Sequence, residues 1–211
     1  MDLASLEGLA VAFYTRHGLD PSQPVQTAKL ARLELGDGAV VRGVTLAGAH
    51  ATTFFHEGRR CIAVRRNLTD EYARFYIGHE LGHLICEREG YRENDLEKVC
   101  DALGAMLMAP MPAVRAMVRI FGTTDFEEVA DEVGSTETWA ALRIAEALGI
   151  PRAILTPQRV YTRGPDEFVW GPEDSLRRLA RGKIGPGITC IRLHDDPRRY
   201  VLDVDELTGS R

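Results

Sequence analysis

The chain has 211 residues, 45% of them hydrophobic, which is enough for one well-buried core with an appendage. Its formal net charge of −5 argues against broad nucleic-acid binding, because contacts to phosphate need a basic surface. No apolar run approaches the ~20 residues that span a bilayer and the first residues lack a basic signal-peptide start, so we expect a cytoplasmic protein without membrane segments.

The amino-terminal part predicts two helices followed by three short strands. The helices are expected at residues 3–17 and 25–35, and the strands at 40–46, 52–56 and 59–64. The last two strands form a hairpin across a turn at Glu57 and Gly58. We expect one of them, the strand around Phe54 or the strand around Ile62, to be a sheet edge that pairs with an extended peptide.

An HExxH motif follows, on a segment whose apolar residues recur at helical spacing until Gly90. Residues four apart lie on one face of a helix, so the imidazoles of His79 and His83 can bind a single ion. Glu80 stands where its carboxylate can reach a water bound to that metal. The alternative is a half-buried helix without a metal, but a buried acid beside two imidazoles would then need other partners. We therefore favour a zinc site.

A catalytic zinc site uses three protein ligands and one open position, so a third donor should follow this helix. A second helix is predicted from a cap at Asn94 to Pro110, and Glu97 and Asp101 share its polar face. Glu97 could bind the ion while Asp101 accepts the free ring N–H of a ligand histidine. Two alternatives stay open: Glu97 could reach back to the cap, and Asp101 could be a solvated helix residue. The cap interpretation leaves the two histidines without their expected carboxylate.

Four cysteines, Cys61, Cys86, Cys100 and Cys190, form no CxxC pair. Reduced thiols are therefore expected, and a structural zinc knuckle is not. Cys86 and Cys100 each lie three residues after a proposed ligand. We interpret both as small apolar side chains buried in the core.

Three further helices are predicted, at residues 113–121, 126–133 and 136–148. The last two resemble a helix-turn-helix, so a DNA-binding regulator that uses residues 125–149, with a non-catalytic zinc site, is the alternative function. The acidic side chains of this segment would repel phosphates, and we favour packing on the core. Residues 155–211 contain β-prone runs at 187–192 and 200–202 and basic side chains at 177–183, which we interpret as a solvated face.

The chain resembles the ImmA/IrrE metallopeptidases over about residues 22–155. Three segments carry the resemblance: Tyr76 to Ile85, Glu97 to Pro110 and Thr138 to Gly149. The resemblance implies an α+β fold with a zincin-like, gluzincin-type core. A small β-sheet packs on the HExxH helix, and a helical segment follows. Beyond the part that the resemblance covers, the β-prone runs predict a short β-containing extension. The peptidase domain is predicted at residues 1–154, with the helices of 112–150 packed on it. Residues 155–211 are predicted to be a C-terminal extension, with a regulatory and a partner-binding role as the open alternatives.

The same resemblance implies a function and a ligand set. His79, His83 and Glu97 match the zinc ligands and Glu80 the catalytic base, with Mn²⁺ as an alternative ion. Members are bacterial cytoplasmic peptidases of stress or mobile-element responses that cleave a helix-turn-helix repressor. We therefore expect a repressor of this kind as the protein substrate, and no membrane or direct nucleic-acid binding.

Departures from the family concern the substrate more than the ligands. The usual Ala-Asn pair is Cys100-Asp101 here, and the usual aromatic-Ala-Ala is Leu103-Gly104-Ala105. These changes leave the ligand set intact but weaken any inference about which protein is cut.

Peptide hydrolysis also needs a donor that stabilises the negative oxygen of the tetrahedral intermediate. The sequence leaves four candidates for it: Tyr91, Tyr161, His50 and His56.

Overall fold

The computed structural model describes residues 2–38, 40–157, 160–163, 188–196 and 198–204. These residues contain seven helices and two small sheets, so the predicted α+β class is confirmed. The chain divides into two compact units: Met1–Met117 with Asp131–Ser135, and Val118–Ala130 with Thr136–Arg211.

The helices and strands follow the predicted order with nearly the predicted ends. In chain order they are α1 (Leu3–Arg16), α2 (Thr27–Leu35), β1 (Val40–Val44), β2 (Ala51–His56), β3 (Arg59–Arg65), α3 (Asp70–Arg88), α4 (Leu96–Met108), α5 (Met111–Phe121), α6 (Phe126–Val133), α7 (Glu137–Leu148), β4 (Arg152–Leu155), β5 (Val160–Arg163), β6 (Ile188–Arg192) and β7 (Tyr200–Val204). Sequence patterns did not predict β4 and β5. Because β4 lies across the expected boundary at residue 154, the division into a peptidase domain and an extension stays a prediction.

In the described part of the chain, no helix is by itself long and apolar enough to cross a bilayer. The bent pair of α4 and α5 meets that criterion of length and composition only when its two helices are taken together.

The sheet of the first unit has β3 at its centre. β2 pairs with β3 antiparallel, and β1 pairs with β3 parallel on the other side, so the order is β1-β3-β2. The hairpin turn uses Glu57 and Gly58 at φ of 50° and 74°, the left-handed backbone that a two-residue hairpin turn requires. β2, with Phe54, is therefore an edge strand. The alternative that placed the edge at Ile62 is wrong, because β1 covers that strand.

Close contact between α3 and α4 organises the core of the first unit. A Cβ added to Gly78 would lie 2.8 Å from the carbonyl oxygen of Gly104, and one added to Gly104 would lie 2.8 Å from the nitrogen of His79. One turn further along, a Cβ on Gly82 would lie 3.0 Å from the Cα of Cys100. Three positions without large side chains thus let the two backbones touch, which brings the polar residues of α4 to the histidines of α3.

Replacing Gly78 with Ala should test this contact. Alanine favours a helix over glycine by roughly 1 kcal/mol, but the added methyl group meets backbone that cannot move aside without displacing α4. We expect a net loss of about 1–3 kcal/mol in the free energy of unfolding, measured by urea denaturation. Gly8 in α1 is the matched control because it is exposed and nothing lies near its Cβ position. Gly8→Ala should stabilise the protein by about 0.5–1 kcal/mol. Equal stabilisation by both changes would refute the close approach.

The second unit contains an antiparallel sheet with the strand order β5-β4-β7-β6. The carboxylate of Glu137, at the start of α7, is buried and accepts hydrogen bonds from the backbone N–H groups of His194 and Asp195. Arg152 of β4 is also fully buried and donates to the carbonyl oxygen of Ala141 at 2.8 Å. The basic side chains of residues 177–183 lie outside the described residues.

Candidate metal centre

The two histidines of the HExxH motif lie one above the other on α3 and present the same ring nitrogen to one point. Their Nε2 atoms are 3.1 Å apart. Both side chains are shielded, with 12% of His79 and 28% of His83 exposed. The spacing of four residues on a helix produces this arrangement, as the sequence predicted.

Glu97, in the first turn of α4, faces the same point. Its two carboxylate oxygens lie 3.4 Å from Nε2 of His79 and 3.5 Å from Nε2 of His83. One ligand atom from each of the three residues can be chosen so that all lie within 4.8 Å of one another. The side chain is 75% exposed, so solvent reaches the group from that side.

The separations suit a small tetrahedral ion. With ligand bonds of about 2.0–2.1 Å, two corners of a tetrahedron are about 3.3 Å apart, close to the 3.1, 3.4 and 3.5 Å found among the three donors. Two imidazole lone pairs and a carboxylate that converge in this way repel one another unless a proton or a cation lies among them. The donor set therefore fits a divalent metal.

The outer nitrogens of both rings contact α4. Nδ1 of His79 lies 2.8 Å from Oδ1 of Asp101, and Nδ1 of His83 lies 3.4 Å from Sγ of Cys100. Asp101 thus lies beside a histidine, as predicted. The contact of Cys100 was not foreseen, because an apolar, buried thiol accounts for the sequence equally well.

Charge around His79 favours its protonated form in the absence of a metal. Burial lowers the pKa of His79, but the hydrogen bond and charge of Asp101, with the charges of Glu80 and Glu97, outweigh it and leave the pKa raised. Burial raises the pKa of the Cys100 thiol, which is therefore neutral at physiological pH. The two histidines consequently have different neighbours, an anion for one and a neutral thiol for the other.

Glu80 is buried, with 7% of its surface exposed, and it is held from the sheet. The hydroxyl of Thr53 in β2 donates a hydrogen bond to Oε2 of Glu80 at 2.8 Å. Sequence reasoning did not find Thr53. The only signal was a hydroxyl on a hairpin strand near the motif, and strand-to-helix contacts cannot be read from spacing.

The four candidates for the oxyanion donor have different surroundings. His50 stacks on Tyr76 with ring centroids 4.4 Å apart, and the Tyr76 ring lies 6.4 Å from that of His79. The hydroxyl of Tyr91 instead donates to Glu93 and Asp95. His56 is largely exposed beside Glu57, and Tyr161 lies in β5 of the second unit. Among the four, the structure connects His50 to the ligand histidines, through Tyr76.

Comparisons with known proteins agree with the motif. The family model Peptidase_M78, described as the IrrE N-terminal-like domain, matches residues 41–150, which include all three donors and Glu80. Among curated proteins no significant match was found. Among solved structures, a Mycobacterium tuberculosis transcriptional regulator is similar, with a TM-score of 0.61 and 15% sequence identity over 98% of this chain and 92% of that chain. At this identity the similarity concerns the fold alone.

Proposed function

We propose that this chain, which belongs to the Peptidase_M78 family, is a zinc-dependent endopeptidase with a zincin-like core. The observation that carries the proposal is the convergence of His79, His83 and Glu97 within 4.8 Å of one another, beside a buried glutamate. Two imidazole nitrogens and one carboxylate are the ligand set of several zinc peptidases. Mn²⁺ could occupy the same donors, since imidazole and carboxylate also suit that ion.

The residues around this group have distinct roles in peptide hydrolysis. His79, His83 and Glu97 would hold the ion, and Asp101 would fix the ring of His79 by accepting its Nδ1–H. When bound there, a zinc ion would supply a Lewis acid that makes its water more acidic and polarises the scissile carbonyl. Glu80 accepts a proton from the attacking water and later delivers it to the leaving amine. Because Thr53 binds Oε2 of Glu80, the other carboxylate oxygen is left for that proton.

The proposed substrate is a helix-turn-helix repressor in a bacterial cytoplasmic response. The resemblance to ImmA/IrrE peptidases supports this substrate class. The edge position of β2 supports an extended peptide as the form in which the substrate is cut, because a peptide added to β2 would lie beside the strand that holds Glu80.

Incubation of the purified protein with candidate substrates tests the proposal. With Zn²⁺ or Mn²⁺ added, one of the helix-turn-helix proteins encoded beside its gene should be cut at a single position, seen by mass spectrometry. A chelator should prevent the cut. If the metal-loaded protein leaves all of these proteins intact, the proposed substrate class is wrong.

Replacing Thr53 with Val should slow cleavage while metal binding persists. The valine removes the hydroxyl that holds Glu80, and a hydrogen bond to a charged group contributes about 1.5–3 kcal/mol, so we expect a loss of about tenfold or more in kcat/KM. Thr53→Ser should restore most of the activity. Thr52 is the matched control because its hydroxyl contacts the carbonyl of Thr53 and not Glu80. A similar loss in Thr52→Val would show that strand packing, not the hydrogen bond, is responsible.

A second candidate function is a DNA-binding regulator that uses residues 125–149. The observation that raises this alternative is that the Mycobacterium tuberculosis protein of similar fold is a transcriptional regulator. Five exposed acidic side chains weigh against it: Asp125, Glu127, Glu128, Asp131 and Glu132. Fluorescence anisotropy with duplex DNA at low salt separates the two functions. We expect no binding, and binding that is unaffected by Glu80→Gln would favour the regulator.

A further inference from the structure

We propose that Cys100 is a positioning residue of the metal centre: its sulfur accepts the Nδ1–H of His83 and so keeps Nε2 of that ring free for the ion. This inference rests on the metal site of the proposed function and assigns a role to a residue that burial alone would leave inert. With this role, α4 carries one proposed ligand and also the residues that contact Nδ1 of both histidines.

The placement of Cys100 follows from the geometry of α4. Glu97, Cys100 and Asp101 are three and four residues apart, so they share one face of the helix. That face meets α3: Glu97 approaches both Nε2 atoms, Asp101 contacts Nδ1 of His79, and Cys100 contacts Nδ1 of His83. Gly82 lets the backbone of α4 come close enough for the thiol to reach the ring. A Cβ at this position would lie only 3.0 Å from the Cα of Cys100, so a larger residue would push α4 away.

The contact matters because it decides which ring nitrogen of His83 carries the proton. A neutral imidazole carries one proton, so a ring that offers Nε2 to a metal must carry its proton on Nδ1. At 3.4 Å the sulfur of Cys100 lies at the distance of an N–H···S hydrogen bond. An acceptor at this position favours the tautomer that can bind the ion.

Burial distinguishes Cys100 from Asp101. Asp101 is 57% exposed, so water can take its place beside His79 when it is removed. Cys100 is fully buried against the Gly82 backbone. Without the sulfur, the Nδ1–H of His83 loses a hydrogen-bond acceptor at a buried position, and the tautomer that offers Nε2 to the ion is favoured less.

The first test is the affinity of purified variants for Zn²⁺, measured by competition with a chromophoric chelator. We expect Cys100→Ala to bind Zn²⁺ about tenfold more weakly than the wild type, as outer contacts of metal ligands typically contribute 10- to 100-fold. Cys100→Ser keeps an acceptor and should recover most of this loss. Cys61→Ala is the matched control, since Cys61 is a buried thiol of β3 whose sulfur instead donates to the carbonyl oxygen of Arg59. Its affinity should equal that of the wild type.

A second measurement reads the hydrogen bond itself. In the Zn²⁺-loaded wild type, proton NMR should show the Nδ1–H signals of His79 and His83 protected from exchange with water. In Cys100→Ala the His83 signal should be lost to exchange, while the His79 signal, held by Asp101, persists as an internal control. An unchanged His83 signal, or equal losses of affinity in Cys100→Ala and Cys61→Ala, would overturn the role of Cys100 and leave the metal site standing. A wild type that binds no Zn²⁺ stoichiometrically would instead remove the proposed function, and this role with it.

Discussion

Replacing Glu80 with Gln is expected to reduce cleavage by about 10²- to 10⁴-fold while the fold and the metal content stay unchanged. Glutamine has the size of glutamate, and its carbonyl oxygen can still accept the hydrogen bond that Thr53 donates. The amide cannot take a proton from water, however. The experiment therefore removes the proposed base and leaves its surroundings in place. It is read by the rate of substrate cleavage together with the metal content of the purified variant.

Glu87 provides the matched control for this experiment. It lies two turns further along α3, where its exposed carboxylate pairs with Arg60 at 2.8 Å, away from the ligand histidines. Glu87→Gln should cleave at the rate of the wild type. Wild-type cleavage by Glu80→Gln would show that Glu80 is not the base, and loss of metal from Glu80→Gln would show that Glu80 helps to hold the ion.

Replacing Glu97 with Gln is expected to weaken Zn²⁺ binding more than about 100-fold, because removal of a ligand costs more than removal of an outer contact. The change should also appear in thermal stability. An ion that binds only the folded state stabilises it by about 2.7 kcal/mol when its concentration is 100 times the dissociation constant. At such a concentration, Zn²⁺ should raise the Tm of the wild type and leave that of Glu97→Gln almost unchanged.

This experiment also separates the two interpretations of Glu97. If Glu97 only caps α4, its replacement should lower Tm equally with and without Zn²⁺, and the stabilisation by Zn²⁺ should persist. Glu93→Gln is the control, because Glu93 lies in the loop before α4 and its carboxylate accepts a hydrogen bond from Tyr91 instead of facing the histidines. It should respond to Zn²⁺ as the wild type does.

Local patterns predicted much of the fold and the core of the site. Helical periodicity identified α3 and α4, and spacing alone placed His79 and His83 on one face. Periodicity also placed Glu97 and Asp101 on one face of α4, but it left open whether Glu97 binds the ion or reaches back to the cap. These features depend on residues close in sequence, where the geometry of a helix leaves few choices.

Partners from distant parts of the chain were not predictable in the same way. The parallel pairing of β1 with β3 decides which hairpin strand is the edge, and no local signal encodes it. Thr53 and Cys100 acquire their contacts only when β2 and α4 pack on α3. Glu137 is a buried acid that accepts hydrogen bonds from backbone N–H groups some 57 residues further along the chain, and no pattern around it indicates this. Buried polar groups need such partners, and a sequence does not show where they come from.

The most direct test of the proposed metal centre is a crystal of the protein with Zn²⁺ added, examined by anomalous diffraction at the zinc absorption edge. The proposal predicts one strong peak about 2.0–2.2 Å from Nε2 of His79, Nε2 of His83 and a carboxylate oxygen of Glu97. The absence of a peak between the two rings, with Glu97 directed elsewhere, would contradict the metal centre and the peptidase mechanism that depends on it.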